Sequence, residues 1–495
     1  MDLNGIDPSE VLKNIGNLFV YDGKTPMLFS SGLFWFLFIL FLPIYVALKK
    51  SKAKMMFFVI AFSLFFYYKS SGLFFLMLIA TSLIDWMLSW AIFRASTRRN
   101  RLLLMWLSIA VSLSILGYFK YANFFLWNWN MMVESNFQPL EIILPVGISF
   151  YTFQSISYVV DVYKRRIIPT RSWFDYLFFL SFFPALVAGP IVRADYFLPQ
   201  IRKNLEADSN MIWGGLWLVI IGIIKKALIA DYIAQYNDLI FNDPQIYTGV
   251  QALMGVLGYT MQIYCDFSGY SDMAIGLALI MGFRLGINFD SPYQSRNLTE
   301  FWRRWHISLS SWLRDYVYIP LGGNRKGTLR TYVNNFLTML IGGLWHGAAW
   351  KFVFWGAMHG AGLAVHKAFR PILVKIPDNF FTIFSSWLLT FVYVSFLWIF
   401  FRAASFSDSI LIIKNIFTDF QFWQFPQFFM ARTVWCIMMI TLVVMHFVPQ
   451  KWADILQIKY IGSPWFVKLV IFIAVVQLVI EFMLAEVQPF IYFQF

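Results

Sequence analysis

The chain has 495 residues, of which 59% are hydrophobic, 20% aromatic and 13% charged, with a formal net charge of +13. A composition this apolar excludes an ordinary soluble globular protein and fits a polytopic membrane protein. The positive charge is no argument for nucleic acid, because Lys and Arg cluster in short loops beside apolar runs, where they act as topology signals.

The N-terminus carries Asp2, Asp7 and Glu10 instead of a basic segment, so no cleavable secretion signal is expected. Residues 7–20 read as a short helix with Asp7 as N-cap, Pro8 in its first turn and Glu10 three residues after the cap. Val11, Leu12, Ile15, Leu18 and Phe19 share one apolar face, which suits a helix lying on the outer membrane surface.

Apolar runs near 29–48, 53–69, 74–94, 101–118, 143–162, 211–232, 248–266, 331–346, 350–369, 383–402, 431–448 and 465–486 predict about twelve transmembrane helices. Basic clusters at 49–54, 94–101 and 164–171 fall on one side if odd-numbered spans run inward, which places both termini outside the cytoplasm. The segment 174–192 is apolar but carries two prolines and a glycine, and it predicts a re-entrant element. Broken backbone at membrane depth survives only against protein or a water-filled cavity, so it argues for an internal chamber. The expected organisation is a lead-in over 1–28, one membrane domain over 29–486 and an aromatic tail over 487–495. Cys265 and Cys436 each sit inside an apolar segment, which excludes a disulfide framework or a cysteine metal site and makes both packing residues.

Polar and ionisable residues crowd into 262–350, and charges at membrane depth face a cavity or each other. Asn297, with Glu300 three residues on, predicts the cap of a helix running through Trp312. Trp302, Trp305, Leu309 and Trp312 would share its apolar face as interfacial anchors, with Arg303, His306 and Ser310 on a polar face. His346 is flanked by Gly342, Gly343, Gly347, Ala348 and Ala349, so little bulk screens its imidazole. Small residues also serve close helix packing, yet a histidine with a pKa of about 6.5 suits proton transfer, and His346 is the first candidate with His306 the second. His359 is a weaker candidate, and His366 and His446, near span ends, read as structural. There is no HExxH, CxxC, Walker lysine loop, GxSxG elbow or dinucleotide fingerprint, which argues against a metal site, ATP-driven transport and a serine hydrolase.

The stretches "PVGISFYTFQSISYVVDVY" (145–163), "FFPALVAGPI" (182–191), "QIYCDFSGYSDMAIGLA" (262–278), "NLTEFWRRWHISLSSWLRDYVYIPLGGNRKG" (297–327) and "GGLWHGAAW" (342–350) resemble the membrane-bound O-acyltransferase family. The likeness is to its bacterial branch of alginate O-acetyltransferases and teichoic acid D-alanyl transfer proteins, and it covers roughly 27–400. It implies an all-α fold around a central tunnel, acting as an O-acyltransferase. Acyl groups would pass from a cytoplasmic thioester donor, acetyl-CoA, to an extracytoplasmic polysaccharide, with no permanently bound cofactor. The family's near-invariant histidine carries over to His346 and its second motif histidine to His306. Asp266, Ser268, Asp272, Arg303, Arg304, Ser310, Asp315, Asn334 and Trp345 become candidates for lining the tunnel. Cys265 stands where an aromatic residue is common in the branch, which reads as a packing change.

The closing "FIYFQF" (490–495) resembles the branch's aromatic C-terminal motif, with Tyr492 as candidate acyl carrier. The resemblance further implies an inner-membrane protein working with an outer-surface, hydrolase-like partner. Two alternatives are D-alanyl transfer to an envelope polymer and direct transfer without a partner. A flippase or polymer channel is a third, although no inverted repeat is apparent.

Overall fold

The structure is a computed structural model that describes residues 16, 18–23, 26–203 and 206–482. Most of the helix expected over 7–20, and the tail with Tyr492, lie outside the described residues. Regular structure among the described residues is entirely helical. Each of the twelve predicted apolar runs overlaps a helix among the described residues. By length and composition, however, five helices among the described residues qualify as membrane-spanning, or six if Gln424–Ala431 and Thr433–Phe447, bent by 95°, form one span. Several of the others carry polar side chains directed into protein, as Gly249–Ile280 does with Gln262, Asp266, Ser268 and Ser271, all buried.

The chain divides into two compact units, one made of residues 1–123 and 136–206 and the other of 124–135 and 207–495. In the first, Gly32–Leu48 and Lys52–Ser71 precede Gly72, whose φ of +63° breaks the helix as few residues but glycine can. Three further helices follow, α1 (Phe75–Arg94), α2 (Arg98–Leu116) and α3 (Ile148–Tyr163), each in contact with the other two. The 174–192 segment breaks as its prolines and glycine predict. Trp173–Ser181 is helical, Phe183–Leu186 is a single turn, and the chain then runs non-helically to Ala194. Nearly all of it is buried, and the Phe183 amide freed by the break donates to Ser63 Oγ at 3.2 Å. This is the internal satisfaction that a broken helix at membrane depth requires.

The second unit is built on α4 (Ser209–Ile223), which continues through a π turn at Ile224–Ala230 into Asp231–Asn242, and on the 32-residue α5 (Gly249–Ile280). Gly215 and Gly222 of α4 meet Gly276 and Gly269 of α5, and a Cβ on Gly222 would stand 2.5 Å from the Gly269 carbonyl oxygen. The two backbones therefore touch, the close approach that small residues permit between membrane helices. One turn further along, Lys225 pairs with Asp272 at 2.7 Å, and Lys226 reaches Asp231 at 2.7 Å and Asp266 at 2.5 Å.

After α5 a loop leads to α6 (Leu298–Arg304) and α7 (Ile307–Leu313), then to α8 (Thr328–His346), α9 (Trp350–Leu373) and α10 (Phe380–Arg402). The Asn297 cap forms as expected, its Oδ1 accepting from the Glu300 amide at 2.9 Å. The single helix through Trp312 does not, because the chain turns at Trp305 and His306, and His306 adopts left-handed φ/ψ of 44° and 56°. The tryptophans are also not interfacial anchors: Trp302, Trp305 and Trp312 are all buried, the first two within a core that includes Trp355, Trp398 and Phe401. An apolar stripe suited to an interface suits a protein interior equally, and here it faces inward.

Candidate active site

The turn between α6 and α7 fixes His306. Its imidazole is fully buried and sits edge-on to Phe267, with ring centroids 4.6 Å apart. Asn288, on the loop after α5, organises the turn. Its backbone carbonyl accepts from the Ile307 amide at 2.9 Å. Its side-chain Oδ1 accepts from the Ser308 amide at 3.2 Å and the Ser308 hydroxyl at 2.9 Å, while Nδ2 donates to Ser271 Oγ at 3.1 Å. Those partners define which end of the amide is oxygen. His306 Nδ1 stands 3.2 Å from the same Oδ1, an atom that can only accept, so Nδ1 carries the proton and Nε2 keeps the lone pair. Burial pushes the His306 pKa down to about 3, so the ring is neutral at physiological pH.

His346 closes α8, and close helix packing brings it into the aromatic core. Gly343 and Gly356 face each other across α8 and α9, and a Cβ on Gly343 would overlap the Phe352 carbonyl oxygen. The small residues around His346 thus do serve packing, and that packing holds the imidazole in place. Its ring lies edge-on to Trp355 at 5.1 Å and Phe401 at 5.2 Å, and 5.0 Å from Trp345. Trp345 in turn lies 6.0 Å from His306, so one indole touches both imidazoles.

His359, the weaker candidate of the sequence, is fully buried in the same cluster. Trp302 Nε1 donates to its Nδ1 at 3.3 Å, and Trp355 packs against it at 4.6 Å. Trp355 therefore bridges His346 and His359, and the contact of His359 with Trp302 was hidden in the sequence because the two are 57 residues apart. His446 is structural as read: its Nε2 accepts the Tyr293 amide at 3.0 Å. His366 instead faces Thr299, with Nδ1 3.0 Å from the hydroxyl oxygen.

The other candidates divide. Trp345 belongs to the histidine cluster. Asp266 and Asp272 are held by Lys226 and Lys225, and Ser268 is buried on the same helix. Arg304 pairs with Glu300 at 3.0 Å, Asp315 with Arg314 at 2.8 Å, and Ser310 Oγ donates to the Trp305 carbonyl at 3.1 Å. Asn334 is fully buried and donates to the Gly323 carbonyl at 2.8 Å, pinning the glycine-rich loop before α8. Arg303 is exposed. Among the described residues no group of His, Cys, Asp and Glu is arranged to hold a metal ion.

His306, too weakly basic to hold a proton at physiological pH, can accept a hydrogen bond at Nε2, and the second buried imidazole, His346, which shares Trp345 with it, can serve as a proton acceptor where bulk water is excluded. Comparison with known proteins bears on which reaction that is. Residues 101–407 match the model of the membrane-bound O-acyltransferase family. The chain is 39% identical to a probable alginate O-acetylase of Pseudomonas putida, over 95% of this chain and all of that protein. It is 41% identical to a peptidoglycan O-acetyltransferase of Helicobacter pylori, over 65% of this chain and 66% of that protein. A teichoic acid D-alanyltransferase of Bacillus subtilis is 30% identical, over 55% of this chain and 72% of that protein.

Proposed function

The chain belongs to the membrane-bound O-acyltransferase family and is an integral membrane acyltransferase, and we propose that it moves acetyl groups across the bacterial inner membrane for O-acetylation of an extracytoplasmic polysaccharide. The observation that carries this reading is the pair His306 and His346, buried against one indole in a family whose chemistry needs a base. Acetyl is preferred to D-alanyl because the acetyl-transferring relatives are the more similar, at 39–41% against 30% identity.

In the proposed reaction acetyl-CoA is the cytoplasmic donor and Tyr492 the first acceptor. The Tyr492 hydroxyl adds to the thioester carbonyl carbon, its proton passes to the His346 imidazole, and the carbon–sulfur bond breaks. The departing thiolate takes up a proton, and Tyr492 is left as an acetyl ester. A phenol with a pKa near 10 is a weak nucleophile without such a base. His306, neutral and fixed in one tautomer, orients the donor, and the proton that His346 took from Tyr492 passes to the departing sulfur. A hydrolase-like partner on the outer surface then passes the acetyl group from Tyr492 to a glycan hydroxyl. The bulky, charged donor stays in the cytoplasm, and only the acetyl group crosses.

The test uses purified protein in liposomes with acetyl-CoA labelled in the acetyl group. Label is expected on Tyr492 and absent in Tyr492→Phe and His346→Ala. A Tyr492→Phe protein that still supports polymer acetylation at the normal rate would overturn the relay. Label that never becomes covalent, but appears across the membrane, would favour a carrier.

A further inference from the structure

In the first unit, three helices bring one carboxylate and a set of hydroxyls to a single point. α1 contributes Thr81 and Asp85, α2 Ser108 and Ser112, and α3 Tyr151 and Ser155. Each pair is spaced four residues apart and so lies on one helix face. Ser108 Oγ donates to Asp85 Oδ1 at 2.8 Å, Ser155 Oγ donates to Oδ2, and Ser112 Oγ is 3.5 Å from Ser155 Oγ. Thr81 donates its hydroxyl proton back to the Met77 carbonyl at 2.9 Å, which leaves its oxygen lone pairs unused. Thr81, Asp85, Ser112, Tyr151, Thr152 and Ser155 line a small cavity. Tyr151, 2% exposed, lines that cavity, and its hydroxyl lies beside the hydroxyl of Tyr67.

The charge at this point is not balanced. Asp85 is 2% exposed on a membrane-spanning helix, and no Lys, Arg or His pairs with it among the described residues. Each carboxylate oxygen has one serine hydroxyl as its partner. Two neutral donors ease its burial but leave its charge in place, and an isolated charge at membrane depth is strongly unfavourable.

We propose that this pocket binds one small monovalent cation, of the size and hardness of Na⁺. Its donor set is all oxygen, the class that hard cations prefer, and a single carboxylate matches a single positive charge. Divalent ions are disfavoured because one carboxylate would leave a buried net charge. The cation joins three helices through Asp85, the hydroxyl oxygens of Thr81, Ser112 and Ser155, and the phenol oxygen of Tyr151.

The experiment is thermal unfolding of the full chain in detergent at fixed pH, in NaCl, KCl or choline chloride at equal ionic strength, with ²²Na⁺ equilibrium binding alongside. Expected are a saturable rise in Tm in NaCl over choline chloride and about one Na⁺ bound per chain. Both should be lost in Asp85→Asn and weakened in Tyr151→Phe and Ser112→Ala. Asp85→Asn should unfold in choline chloride at a higher temperature than the wild type, because its uncompensated charge is gone. Tyr151→Phe and Ser112→Ala keep the test decisive should Asp85→Asn fail to fold. Equal Tm in the three salts with no bound Na⁺ would overturn the proposal and assign neutralisation of Asp85 to a proton. An Na⁺ response unchanged in Tyr151→Phe and Ser112→Ala would overturn it as well.

Discussion

Asn288 Oδ1 lies 3.2 Å from His306 Nδ1 and accepts from Ser308 as well, so one side-chain oxygen sets both the turn and the tautomer of the buried histidine. Asn288→Ala should therefore lower acyl transfer while leaving most of the fold intact. A loss of roughly 10–100-fold in kcat/KM is expected, as for other residues that orient a functional imidazole. Asn288→Asp, which keeps an acceptor at the same place, should restore part of it. Equal activity of Asn288→Ala and the wild type would remove Asn288 from any positioning role.

Because His306 is held neutral down to about pH 3, it leaves a signature in stability. Its unfolded pKa is about 6.5, so below that pH the unfolded chain binds a proton that the folded chain refuses. The contribution of neutral His306 is complete above about pH 6.5 and is lost progressively as pH falls toward 3. Tm measured from pH 7.5 to 4.5 should fall more steeply for the wild type than for His306→Gln. Parallel curves would contradict a buried, neutral His306.

Gly343 permits the approach of α8 and α9 that holds His346 among Trp345, Trp355 and Phe401. Gly343→Ala should cost about 1–3 kcal/mol through overlap with the Phe352 carbonyl, read as a lower Tm, and should also reduce turnover. A comparable substitution at Gly462, where an added Cβ meets nothing within 4 Å, should leave both unchanged.

Lys226 is buried between Asp231 and Asp266. Lys226→Met strands two carboxylates and should destabilise by about 3–5 kcal/mol, the usual result of breaking a buried pair from one side. Adding Asp266→Asn to Lys226→Met should recover a substantial part of that loss. A double variant less stable than Lys226→Met would show that Asp266 has another essential partner.

The sequence made several of these relationships readable and concealed others, for physical reasons. Apolar runs located helices along the chain, since hydropathy is a local property; five or six helices among the described residues qualify as spans by length and composition, and one of them, Lys52–Arg94, holds two of the predicted runs. Asn297 announced its cap three residues ahead of Glu300. The break at His306 was hidden because the apolar spacing from Trp302 to Trp312 continues across it, with no Gly or Pro to mark the turn. A left-handed histidine depends on Asn288, which is distant in sequence. The partners of Asp266 and Asp272, Lys226 and Lys225, could not be read from the sequence because they lie on another helix about 40 residues away. The Asp85 cluster left a signal in its three four-residue spacings, but such polar pairs gain meaning only once α1, α2 and α3 are known to converge.

The contact of Gly215 and Gly222 with Gly276 and Gly269 has a mechanical consequence. Helices separated by side chains can slide as rotamers change, whereas α4 and α5 meet main chain to main chain and are locked again by Lys225 and Lys226. This pair is the chassis of its unit. Its geometry is set by main chain and buried ion pairs together, so a side-chain change elsewhere in the unit leaves the spacing of α4 and α5 as it is.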